Sequence, residues 1–263
     1  MNNIYQHLIR IAKSERSQRL AAITNILNEQ NIPYRVQNFD SGKNVIITFS
    51  GRSDLDMIFM AHHDIASGTV QGANDNTASV AILIALSEWL KTENLHYNIH
   101  IALTDHEERI GAMLSENVSN EDRFRIITSV GSYQLLKTFS PSRVRAVINL
   151  EMSGIGDKLF FAESSGNVPC SAPLNSRLAE AADILHIPHS SIKISNSDLL
   201  SVHVRKMCGT VIGALPSGEN VKFGSYDIPK EWATMHSPQD TVDKIDDKSL
   251  DMMLNFLKKI VGE

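Results

Sequence analysis

Apolar positions recur at helical spacing through the first thirty residues: Leu8, Ile11 and Ala12 form one stripe, and Leu20, Ile23, Ile26 and Leu27 a second. This spacing predicts two helices, the second capped by Ser14 or Ser17. The period then changes. Pro33–Phe39 roughly alternates, Ser41–Asn44 reads as a turn, and Val45–Phe49 reads as the return strand of a hairpin. The apolar run within Asp56–Ala61 predicts an interior strand. Thr77–Leu90 is apolar on most faces, through Val80, Ile82, Leu83, Ile84, Leu86 and Trp89, and predicts a deeply packed helix. Ile99–Leu103 is another buried strand, so strand, helix and strand follow one another as in a βαβ unit.

Further strands are predicted at Val144–Leu150, Lys158–Ala162 and Gly209–Leu215, with helices at Leu174–Leu185 and Ser249–Val261. Leu114–Arg125 is polar without a clear period and reads as an exposed loop. Pro216–Pro229, with Gly218 and Gly224 between its prolines, reads as a long loop. With no repeat or linker in sight, the expectation is one α/β domain over residues 1–263. It would be a three-layer α/β/α arrangement around a mixed, mostly parallel sheet.

Composition narrows the function classes. A 42% hydrophobic content supplies a sizeable core, while a net charge of −5 without any Lys/Arg cluster offers no surface for a nucleic-acid backbone. Cys170 and Cys208 stand far apart, in no Cys-x-x-Cys arrangement, and read as idle thiols. Residues Met1–Leu20 are polar and charged, and no apolar run approaches the ~18 residues of a membrane span. The expectation is therefore a cytoplasmic protein with neither nucleic acid nor membrane as partner; an oligomer stays open.

Chemistry gathers beyond the predicted strands. Glu107 and Glu108 are adjacent like charges just past Ile99–Leu103, and read either as a solvated turn with Arg109 as counter-ion or as a site that stabilises both carboxylates. His62 closes the Asp56–Ala61 strand and is well placed for a metal, with Asp64 two residues on able to accept the other imidazole N–H. Asp75, within Gly72–Ser79, stands at the entrance to the buried helix, where it either caps the helix or bridges two cations. Glu151 follows the Val144–Leu150 strand, and His236 precedes a proline-containing turn. Imidazole nitrogen and carboxylate oxygen are zinc ligands, and two cations ~3.5–4 Å apart can share one carboxylate and one water.

In this order the residues resemble the two-zinc exopeptidases of the aminopeptidase Y and glutamate carboxypeptidase type, which include small bacterial leucyl aminopeptidases. The matching segments are His62–Asp64, Gly72–Ser79, Glu107–Glu108, Asn149–Glu151 and His236–Thr241, with Ser197–Asp198 a weaker sixth. The resemblance runs from about residue 45 to the C-terminus and implies the zinc exopeptidase, phosphorylase/hydrolase-like fold. It implies two divalent ions, zinc or else manganese or cobalt, and a peptide substrate. Asp75 would bridge the ions, His62 and Glu151 completing one site and Glu108 and His236 the other. Glu107 would be the general base, Asp64 would orient His62, and the Asp75–Asn76 peptide would be cis.

Three features depart from that pattern. The third acid is Glu151 where aspartate is usual in aminopeptidases, Met235 stands where an aromatic residue is common, and Gly131-Ser132 comes late, after a polar insertion around residues 112–130. The same scaffold also carries carboxypeptidases, dipeptidases, deacylases and a one-zinc cyclase of N-terminal glutamine. The full two-metal ligand set argues against the cyclase and against a non-catalytic metal-binding homologue. A carboxypeptidase needs a basic group for the terminal carboxylate, with Arg143, Arg145, Arg205 and Lys206 as candidates. Glu219 and Asp227 are expected in a loop lining the pocket.

Overall fold

The computed structural model describes residues 3–40, 42–113, 118–223 and 226–262. Strand β1 (Arg35–Phe39) returns through β2 (Gly42–Phe49) as the expected antiparallel hairpin. Strands β3 (Asp56–His62), β4 (Asn98–Thr104), β5 (Val144–Leu150) and β9 (Gly209–Leu215) form the centre of a nine-stranded mixed sheet. They lie side by side in the order β4-β3-β5-β9, all parallel. Strand β6 (Lys158–Ser165) joins β9 antiparallel and carries β7 (Val168–Pro169) and β8 (His189–Ile194) at the far edge, while β2 joins β4 antiparallel at the other.

Alternation along the strands builds two cores. In β3, Met57, Phe59 and Ala61 enter one apolar cluster, and Ile58 and Met60 enter the other. Every residue of β3 is buried, as a central parallel strand covered on both faces requires. The first cluster is covered by α1 (Asn3–Ala12), α2 (Arg19–Glu29), α3 (Ala78–Leu90), α7 (Ala172–Ile184) and α9 (Asp247–Val261). Their buried residues recur at helical spacing, as in Leu250, Met253, Leu257 and Ile260 of α9. Helices α6 (Gly131–Leu136) and α8 (Leu199–Val204) contribute Leu135, Leu136, Leu199 and Val202 to the second cluster.

The connection from β3 to β4 runs through α3 on one face. The connection from β4 to β5 runs through α4 (Glu108–Met113), α5 (Asn120–Ser129) and α6 on the other. Two crossovers leaving on opposite faces open a crevice beyond the carboxyl ends of β3, β4 and β5. Residues His62, Thr104 and Glu151 reach that end together because the strands are parallel and in register, His62 facing Thr104 and Met60 facing Asn149.

Several expectations need correction. Within Leu114–Arg125, residues 114–117 lie outside the described residues, but Asn120–Ser129 is helix α5, capped where the Ser119 hydroxyl accepts the Asp122 N–H at 3.1 Å. Its large apolar residues are Phe124, 55% exposed, and the half-buried Ile126 and Ile127, which are too few for an apolar stripe. Pro216–Pro229 contains a second, two-stranded sheet, β10 (Asn220–Phe223) and β11 (Tyr226–Pro229). Helix α2 starts at Arg19 without a side-chain cap; Ser14 donates instead to the Ile11 carbonyl.

Candidate metal centre

Each candidate residue reaches the crevice by a different local device. Strand β3 ends on His62, which is 1% exposed. Glu151 follows β5 and Glu108 opens α4. Asp75 sits in a distorted turn, Ala73–Thr77, that enters α3; its backbone and that of Asn76 are non-helical, and the peptide between them is cis. His106, Met152 and His236 hold φ of 70°, 51° and 59°, the left-handed region that side chains disfavour. These positions are beside Glu107, beside Glu151 and at a candidate ligand itself, so the backbone stores strain where it aims these groups. No periodicity in the sequence announces such residues.

The side chains meet around Asp75. Its Oδ1 lies 3.2 Å from His62 Nε2 and its Oδ2 lies 3.1 Å from His236 Nε2. His62 Nε2 is also 3.5 Å from Glu151 Oε2, and His236 Nε2 is 3.3 Å from Glu108 Oε2. Two triads result, His62–Asp75–Glu151 and Asp75–Glu108–His236; in each, one ligating atom per residue lies within 4.8 Å of the others. The two triads use opposite oxygens of one carboxylate. Glu107 stands beside them, 8% exposed, with Oε2 4.0 Å from His62 Nε2.

A surrounding set of hydrogen bonds fixes these groups. The Glu151 carboxylate accepts from Asn149 Nδ2 at 2.9 Å and from Asn76 Nδ2 at 2.8 Å. The Asp240 carboxylate accepts the backbone N–H of Asn74 at 2.8 Å and of Asp75 at 3.1 Å. Asp64 does more than face His62. The closest contact of His62 Nδ1 is the Asp64 backbone carbonyl at 3.2 Å, with the carboxylate at 3.5 Å; that carboxylate accepts the N–H groups of Glu107 and Glu108, both at 3.2 Å. Asp64 therefore anchors the acidic turn as well as facing His62.

Crowded acids in a buried crevice are poor anions without a cation. Burial, then the neighbouring Asp75 charge, pushes the Glu108 carboxyl up to about 8. Burial likewise raises Glu107 well above the usual range, and Glu151 above it. Burial opposes charging of His62, but the Glu151 charge and contacts with Asp64 and Asp75 outweigh it, so that its pKa stands well above that of a free imidazole. His236 is raised by its hydrogen bond to Asp75. A dication beside these carboxyls would oppose that rise by favouring their ionised form. Glu108 Oε1 is in addition a buried oxygen with no hydrogen-bond partner, an open lone pair in a set of nitrogen and oxygen donors that suits zinc.

The centre forms one wall of a cavity of about 740 Å³. Met152, Phe160, Trp232 and Met235 line it nearby, with the Phe160 and Trp232 rings edge to face at 5.6 Å. Asp227 lines it as expected, whereas Glu219 is not among the lining residues. Nor are Arg143, Arg145, Arg205 or Lys206; Lys158 and Lys193 are the lysines among the described lining residues, which include no arginine. The Gly131 N–H donates to the Asp105 carbonyl at 2.8 Å, so the chain between them leaves and returns at one point beside the acidic turn. Asp198, in the weaker sixth matching segment, is fully buried and pushed up to about 6 by burial, and accepts from Thr104 Oγ1 at 2.8 Å.

Comparison with known proteins places this geometry. The model of peptidase family M28 matches residues 44–261. The alkaline phosphatase isozyme conversion protein of Escherichia coli (strain K12) is 29% identical over 137 residues, which span 46% of this chain and 34% of that protein. The chain thus matches about a third of the length of that relative. Two solved structures from Bacteroides thetaiotaomicron, a glutaminyl cyclase and a leucine aminopeptidase precursor, each superpose with a TM-score of 0.75 at 17% identity. They cover 98% of this chain and 96% and 95% of theirs. BSAP, a zinc aminopeptidase from Bacillus subtilis, superposes with a TM-score of 0.63 at 17% identity over 83% of this chain and 49% of its own. At these identities the structures establish a shared fold.

Proposed function

The chain belongs to peptidase family M28, and from that premise we propose that it is a dinuclear metallo-aminopeptidase that removes N-terminal residues from peptides. The observation that carries the reading is the pair of donor triads on opposite oxygens of Asp75. His62 and Glu151 would hold one zinc ion and Glu108 and His236 the other, with Asp75 between them. Two such cations supply a water of lowered pKa and a Lewis acid for the substrate carbonyl.

The chain's own groups do the rest. Glu107, which the two cations would keep ionised despite its burial, takes the proton of the attacking water and gives it to the leaving amine nitrogen, so that one water and one peptide bond become a free amino acid and a shortened peptide. Asp64, holding the N–H groups of Glu107 and Glu108, fixes where both side chains begin. Asn149 and Asn76 fix the Glu151 carboxylate. The apolar wall of Met152, Phe160, Trp232 and Met235 receives the first side chain and keeps water from it.

A second reading, cyclisation of N-terminal glutamine with loss of ammonia, draws support from the equal superposition of a cyclase and an aminopeptidase. One experiment separates the two. The zinc-, manganese- and cobalt-loaded protein is offered free and N-blocked peptides, one set beginning with glutamine. An aminopeptidase releases amino acids from free peptides only. Ammonia release from the glutamine peptides with no cleavage of the others would replace this reading with the cyclase, and cleavage of blocked peptides would exclude both.

A further inference from the structure

Arg19 is in an unfavourable place. It opens helix α2, where the helix dipole repels a cation, and it is 2% exposed. Its guanidinium makes contacts that explain why it is there. Nε donates to the His63 carbonyl at 3.0 Å, Nη1 to the Gln71 carbonyl at 3.0 Å and the Ile11 carbonyl at 3.3 Å, and Nη2 to the Thr77 hydroxyl at 2.6 Å. Thr77 passes this on, donating to the Gly72 carbonyl at 2.6 Å. Arg16, three residues earlier, donates to the Ile65 and Ala66 carbonyls, both at 2.6 Å.

All but one of these acceptors belong to the connection from His62 to Asp75 and its entry into α3. That segment holds two glycines at positive φ, Gly68 and Gly72, and has little regular structure of its own. It must nevertheless bring His62 and Asp75 within 3.2 Å. Asp240 holds the Asp75 end from one side; the arginines hold the whole loop from the other. The charges of Asp64 and Asp240 face Arg19 and favour it, while Arg16 opposes it. The guanidinium's five donors on a rigid fork serve four acceptors here, one more than the three donors of a lysine ammonium can reach.

We propose that Arg19 and Arg16 are positioning residues of the metal centre: a guanidinium pair from the N-terminal segment that sets the His63–Gly72 loop and so the spacing of His62 and Asp75. Both lie outside residues 44–261, the part matched by the family. The inference rests on the two-metal reading above.

The test uses the full chain with Arg19→Met, Arg19→Lys and Arg16→Met. Zinc affinity is read by competition with a chromophoric chelator, kcat and KM on a free-amine peptide, and unfolding by circular dichroism. Arg19→Met is expected to weaken zinc binding about 10- to 100-fold, as loss of groups that orient ligands does elsewhere. It should lower kcat at least about 10-fold with KM changed under about 3-fold, since geometry rather than substrate contact is lost. Arg19→Lys should recover only part of both. Arg16→Met, at the surface, should fold normally and weaken zinc binding by about 3- to 10-fold. Wild-type zinc affinity and kcat in folded Arg19 variants, with only a lowered melting temperature, would overturn the proposal. If Arg19→Met does not fold, wild-type zinc affinity in Arg19→Lys and Arg16→Met overturns it equally. Wild-type protein that binds no zinc in the same titration would overturn the two-metal reading and this inference together.

Discussion

The Asp240→Asn substitution replaces one oxygen by NH2 in a carboxylate that is 1% exposed and accepts the backbone N–H groups of Asn74 and Asp75. The amide keeps one acceptor and turns a donor toward the other N–H. Leaving that buried N–H without an acceptor costs about 1–3 kcal/mol. Against this stands the burial that pushes the Asp240 carboxyl from 3.8 up to about 6. A pKa raised that far makes the ionised group unfavourable by about 3 kcal/mol, a cost asparagine does not carry. The sign follows from the folded pKa lying above the unfolded one. The stabilising contribution is fully present below about 3.8 and is lost as the pH rises through about 6. Metal-free Asp240→Asn should therefore be less stable than wild type near pH 4.5 and close to it at pH 7.5. Between pH 4.5 and the folded pKa of about 6 the group loses about 2 of those 3 kcal/mol, so the difference in melting temperature should move by about 4–8 °C, taking about 2–4 °C per kcal/mol for a chain of this size. Zinc affinity at pH 7 should nonetheless fall about 10- to 100-fold, because Asp75 loses its cradle. Thermal melts from pH 4.5 to 7.5 and chelator competition measure the two quantities. A melting difference that does not change with pH would refute the burial cost, and unchanged zinc affinity would refute the positioning of Asp75 by Asp240.

Glu107→Gln should keep both zinc ions and lose kcat by about 10²- to 10⁴-fold, the range for a general base; an unchanged rate in steady-state kinetics removes Glu107 from that role. Glu108, raised to about 8 by burial and by Asp75 in the metal-free protein, must shed its proton to bind a cation. Zinc affinity should therefore climb about tenfold per pH unit for each proton displaced between pH 6 and 8, and a pH-independent affinity in chelator competition contradicts this. Gly213→Ala places a Cβ 1.8 Å from the Glu151 carbonyl oxygen and 2.4 Å from the Phe160 ring. Neither the β5 end nor a buried aromatic can yield that far, so a loss above about 3 kcal/mol is expected in denaturant titration; a near-neutral result contradicts the packing.

The parts of the fold legible in the sequence were those where one physical rule acts alone. The central strands carry continuous apolar runs, such as Met57–Ala61 in β3, because helices cover both their faces, and α3 is mostly apolar because it is buried between sheet and helices. Once the strands are parallel their carboxyl ends coincide, which is why His62, Glu108 and Glu151 converge as their positions suggested. His236 leaves no strand end, and only its surrounding segment, through Asp240, marked it. What escaped lacks a period or a local signal. Helix α5 shows no stripe because none of its residues is buried, and β8 is a half-buried edge strand whose Ile192 and Ile194 alone alternate. Asn149 is a polar residue in a buried strand, a signal that was available and reflects its bond to Glu151. Arg19 interrupts the pattern of an amphipathic helix, and its meaning lies in carbonyls more than forty residues away.

The two-cation centre is tested most directly by the number of zinc ions bound per chain, determined by titrating the metal-free wild-type protein and its Asp75→Asn variant against a chromophoric chelator. Both triads depend on the Asp75 carboxylate. The expected result is two tightly held ions per wild-type chain and a loss of affinity at both sites in the variant. One ion or none in the wild type, or two ions held undiminished without the Asp75 charge, would contradict it.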